Sequence, residues 1–138
     1  MKAARRARAA PLVVEVSPGE LIDKLTILEI KTERIVDPAK LANVRAELDI
    51  LEAARRRALP ASPELDRLKA ELKTVNQRLW AIEDLIRSCE HEREFGHTFI
   101  ELARSVYRTN DRRALIKRAI NDRFGSAIVE EKSYQTYD

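Results

Sequence analysis

Residues 65–89 read LDRLKAELKTVNQRLWAIEDLIRSC, and this stretch decides the fold class. Its apolar positions are Leu65, Leu68, Leu72, Val75, Leu79, Ile82, Ile86 and Cys89. They alternate three and four apart without a break, the spacing of a heptad seam on one long helix. Ser62-Pro63-Glu64 supplies the start signal, so the helix is predicted from Pro63 to about Glu94, roughly 48 Å at 1.5 Å per residue.

Working outward, the same start signal recurs upstream. Ser17-Pro18-Gly19-Glu20 opens a first helix that is predicted to run to Val36. Asp37-Pro38 ends it and opens a second, with Leu41, Val44, Leu48 and Leu51 on one face and a stop near Leu59-Pro60. That second helix reaches only about 30 Å. The heptad helix therefore outruns its hairpin partner. Its far half must pack on the first helix, on the C-terminal helices or on a second subunit.

Downstream, Gly96 marks a break. A fourth helix, His97 to Arg108, places Phe99, Ile100, Ala103, Val106 and Tyr107 on one face. Thr109-Asn110-Asp111 offers caps for a fifth, carrying Leu115, Ile116, Ala119 and Ile120, with Gly125 just past its end. Leu12 to Val16 is β-branched and extended in character. Ile128-Val129 offers it a partner for a small terminal two-stranded β-ribbon, marginal unless packed on the helices. The fold expected is an all-α antiparallel bundle with a long central heptad-patterned helix. Residues 1–11 form a disordered basic tail, and 12–138 a single helical domain.

Composition narrows the function classes. The chain has 138 residues, 36% charged and 5% aromatic, with three glycines, which suits one helical domain. Lys2, Arg5, Arg6 and Arg8 fall in an acid-free start; the other 22 of the 26 basic residues face 23 acidic ones. A neutral body argues against a folded nucleic-acid-binding surface. No run approaches the roughly 20 apolar residues of a membrane span, and the short, charged start does not make a signal peptide. One cysteine, Cys89, permits no internal disulfide; a cytoplasmic protein is expected.

Candidate functional residues are those that break the helical pattern. Glu29 falls inside the apolar stripe of the first helix, where a carboxylate needs a partner. A helix-to-helix ion pair is the simpler reading, a ligand contact the sharper one. Trp80 lies off the heptad seam and is followed by Glu83 and Arg87, four apart in the order of a surface pair. Arg104, Tyr107, Asn110, Asp111, Arg112 and Lys117 form a third cluster, suited to a phosphate or carboxylate, or simply to capping and solvated faces. Cys89, His91 and His97 lack the spacing of a metal site, and no motif calls for a cofactor.

Several runs carry a family likeness. Residues 16–31 (VSPGELIDKLTILEIK), Val75-Asn76, Leu79-Trp80 with Ile82-Glu83-Asp84, Phe99 to Arg104, Asn110-Asp111 and Glu131 to Tyr134 resemble an uncharacterised bacterial all-helical domain family over roughly residues 14–138. The resemblance implies a bacterial origin and no activity. Leu21-Ile22-Asp23-Lys24-Leu25 with Arg34 resembles the first helix of the all-helical chorismate mutases. Theirs is much longer, and no catalytic residue carries over. The function expected is a protein-interaction or assembly module that self-associates or takes another helical protein. The alternative is a small helical enzyme or ligand-binding domain for an anionic metabolite.

Overall fold

The computed structural model describes residues 9–138; the expected basic tail falls outside them except for residues 9–11. Four helices follow in order: α1 Pro18–Arg34, α2 Pro38–Ala58, α3 Pro63–His91 and α4 His97–Arg123. The first three start where the Ser-Pro and Asp-Pro pairs place them. Ser17, Asp37 and Ser62 accept from the backbone N–H of Glu20, Lys40 and Leu65 at 3.2, 2.9 and 3.1 Å. Each proline takes the first helical position, where its missing N–H costs nothing.

Both ends of the second half close in the left-handed conformation. Arg93 (φ 54°) follows α3, with the Glu94 N–H donating to the Cys89 carbonyl at 2.8 Å. Gly125 (φ 61°) follows α4, with the Ser126 N–H donating to the Asn121 carbonyl at 2.9 Å. Both bonds span six residues back to the helix, the Schellman closure.

The core is built around α1. It packs on α2, α3 and α4, whereas α2 approaches only α1 closely. Ile22, Leu25, Leu28 and Ile30 are 0–1% exposed and face different neighbours, as a helix with two apolar sides requires. Leu65, Leu68, Leu72 and Val75 of α3 join Ile22, Leu25, Ile116 and Ile120 in one cluster, with Leu48 and Leu51 of α2 packed against it. The far half of α3 is covered by α4, which returns along it and ties Arg123 to Glu64 at 2.9 Å.

Four sequence expectations are corrected. The close partner of α3 is α4, not α2, because the extended Leu59–Ser62 link turns α2 onto α1 instead. α1 stops at Arg34, so Val36, expected as the last residue of that helix, is 88% exposed. The fourth and fifth helices are one. Thr109 is buried in mid-helix, and neither Gly nor Pro interrupts the run from Val106 to Ile120. The described residues contain no strand, so the terminal ribbon is not formed. Leu12 to Val16 lies exposed, and Glu130 is drawn to Lys117 on α4.

Candidate functional site

The buried chemistry of the molecule lies where α1 meets α4. Three rungs join them, one turn apart on α4. The Gly19 N–H donates to Asn121 Oδ1 at 2.7 Å. The Lys117 ammonium donates to Glu20 at 2.8 Å and pairs with Glu130 of the C-terminal segment at 2.8 Å. Arg113 grips Asp23 with both arms of its guanidinium, Nε lying 2.9 Å from Oδ1 and Nη2 bonding Oδ2.

A glycine is required at position 19. A Cβ there would lie 2.5 Å from the Lys117 carbonyl oxygen and 2.8 Å from Asn121 Oδ1, so any side chain forces the helices apart. Glu20, placed for a capping box, serves Lys117 instead.

Asp23 is 1% exposed. Its carboxylate also accepts from Asn76 Nδ2 of α3 at 2.8 Å, and Asn76 in turn donates to Thr26 Oγ1 at 2.9 Å. Thr26 donates to the Asp23 carbonyl at 2.7 Å. Among the described residues no buried side-chain polar atom lacks a partner. Donating to the Asp23 carboxylate raises the Arg113 pKa against the opposing cost of burial. A carboxylate so fully engaged is built to hold helices together. Three of its roughly four acceptor sites are taken, two on Oδ1 and one on Oδ2, in bonds that tie α1 to α3 and α4.

Beside this network a groove of about 410 Å³ opens between α1, α3 and α4. Ile27, Ile30, Leu79, Trp80 and Val106 form its apolar lining. Asn76, Asn110, Glu83, Asp84 and Arg113 supply the polar part. A second cleft, about 560 Å³, gathers the chain's three tyrosines, Tyr107, Tyr134 and Tyr137. There Tyr137 donates to Asp111 at 2.7 Å, and its ring lies 5.0 Å from that of Tyr107.

The residues singled out in the sequence therefore separate. Trp80, Glu83 and Asn110 meet in the groove. Glu29 lies apart from them, pairing with Lys69 (2.8 Å) and Lys73 (3.6 Å) between α1 and α3. Arg87 pairs with Glu83 at 3.2 Å on the outside of α3, and Arg104 with Glu101 at 3.1 Å on α4. Tyr107 and Asp111 belong to the tyrosine cleft, and Arg112 is exposed. Asn110 and Asp111 cap nothing, since α4 runs through them.

Sequence reasoning passed over Gly19, Asp23, Asn76, Arg113 and Asn121 as functional candidates. One signal for them was present. Arg113, Lys117 and Asn121 recur every four residues, a polar stripe running beside Ile116 and Ile120.

The match to a family model spans residues 12–137, from the extended arm through all four helices to the tyrosine cleft. The chain belongs to a family of unknown function, DUF6165. The DUF6165 match takes in both the groove and the α1–α4 rungs, so neither is an appendage to the family's common part. No curated protein and no solved structure matches the chain.

Proposed function

We propose that this chain is a protein-interaction module that assembles with a second copy of itself through the arm Leu12–Val16, residues 12–138 acting as one unit in the cytoplasm. The observation that carries this is the arm itself. Leu12, Val13, Val14 and Val16 are 92, 85, 67 and 50% exposed, although the family match includes them. Among the described residues their backbone makes no backbone hydrogen bond before Ser17. An exposed, extended, β-branched segment is a template for pairing with another strand.

The acceptor is present in the same chain. Residues 128–131 likewise lie outside any helix or strand, with Ile128 and Val129 41 and 52% exposed. Lys117 holds Glu130 of that segment beside Glu20 at the start of α1, so the two non-helical segments sit at one end of the molecule. Leu115, 67% exposed, and Val129 line a shallow hollow there, which gives an incoming arm apolar ground to pack on. The heptad seam of α3 is spent inside the chain on α1 and α4, so the arm replaces it as the assembling element.

Light scattering on the chain and on Val14→Lys tests this. The wild-type mass should rise with concentration toward twice the chain mass, while Val14→Lys stays monomeric with an unchanged helical circular dichroism spectrum. A strict monomer at every soluble concentration overturns the reading.

A second reading, a ligand-binding or enzymatic pocket, is favoured by the composition of the groove. Eight of its ten lining residues come from the runs that carry the family likeness: Ile27, Ile30, Asn76, Leu79, Trp80, Glu83, Asp84 and Asn110. Saturable quenching of Trp80 fluorescence by small solutes would support it.

A further inference from the structure

We infer that the α1–α3–α4 groove takes a small organic cation with a hydrocarbon body, an alkylammonium or guanidinium group, and not an anion. The inference rests on the second reading above, that the groove is a ligand site, and supplies the ligand's charge.

The argument is an inventory of which charges in the groove are already spent. Arg113 is the one cationic side chain in its lining, and its charge is paired with the Asp23 carboxylate through Nε and Nη2. An anion would meet a guanidinium whose charge Asp23 already balances. The two acids are less engaged. Glu83 shares only an exposed i,i+4 pair with Arg87, which water competes with readily. Asp84, an exposed lining residue, makes no ion pair and accepts no side-chain hydrogen bond among the described residues, so its charge is free to meet a cation.

The remaining lining suits the same ligand. Trp80 is half-buried at the groove, and an indole face is the strongest aromatic seat for a cation. Asn110, half-buried and without a side-chain partner among the described residues, offers an amide oxygen to an ammonium hydrogen. Ile27, Ile30 and Val106 provide the apolar wall for a hydrocarbon chain. The volume of about 410 Å³ falls within the range of small-molecule sites.

The chain's single tryptophan stands in this groove, so intrinsic fluorescence reports it. Three probes of one length separate charge from hydrophobicity: hexylammonium, 1-hexanol and hexanoate. Hexylammonium should saturate about tenfold tighter than 1-hexanol, the gain of one cation–π contact and one screened ion contact. Hexanoate should bind weakest. In Glu83→Gln/Asp84→Asn the preference for the cation should shrink to the part Trp80 supplies, about threefold, while circular dichroism and 1-hexanol binding stay unchanged. Equal binding of all three probes, or hexanoate binding tightest, overturns the charge assignment and leaves the groove as a ligand site. No saturable response to any probe overturns both.

Discussion

α1 carries a carboxylate–cation contact near each end, and the two share their chemistry and little else. At the N-terminal end the Asp23 side chain is 2% exposed, held by both arms of Arg113 and by Asn76. At the C-terminal end Glu29 and Glu33 are 28 and 48% exposed and share Lys73, with Lys69 on Glu29 alone. The Asp23 carboxylate has lost its water and depends on Arg113 and Asn76 for its hydrogen bonds, whereas Glu29 and Glu33 keep water as a substitute. Burial thus decides which contact fixes the place of α1 against its neighbours and which one decorates the surface.

The sharpest way to break that contrast is Asp23→Ala. It strands a half-buried guanidinium and one amide hydrogen of Asn76, and should cost about 3–5 kcal/mol in urea unfolding. Adding Arg113→Met should recover part of the loss, since no charge is then left unpaired. Gly19→Ala comes next. It leaves every charge in place but forces α1 off α4, and should cost about 1–3 kcal/mol.

A smaller effect is expected from alkaline pH at the same end. Burial lowers the Lys117 pKa, but its bonds to Glu130 and Glu20 more than offset this and leave it raised. The contribution is therefore complete below the ordinary lysine value and is lost as pH climbs through the raised one. Both acids are 41–50% exposed, which keeps the effect modest. Thermal melts from pH 9 upward should show a loss that disappears in Lys117→Met. Glu29→Gln should change stability least, by about 0.5 kcal/mol or less, despite removing two ion pairs.

The contrast also explains what could be read in the sequence. The helix starts were legible because each cap is a local matter of three or four residues, as at Ser17, Asp37 and Ser62. Glu29 stood out because it interrupts an apolar stripe, yet it and its partners Lys69 and Lys73 are only half-buried. Asp23 did not stand out. It occupies a position where an amphipathic helix shows its polar side, and only the arrival of α4, 90 residues later, buries it. The join of the expected fourth and fifth helices failed for a related reason. Thr109-Asn110-Asp111 is good capping chemistry, but packing along α3 keeps the helix continuous through it. The groove was half legible: Trp80, Glu83 and Asn110 were singled out, while the partnering of Arg113 that sets its charge was not.

Assembly through the arm is the central claim, and amide hydrogen exchange at residues 12–16 tests it most directly. In a monomer these amides face water, as their exposure requires. The account predicts protection that is absent in dilute solution and grows with protein concentration, while α1 stays protected throughout. Fast exchange of residues 12–16 at every concentration would contradict it.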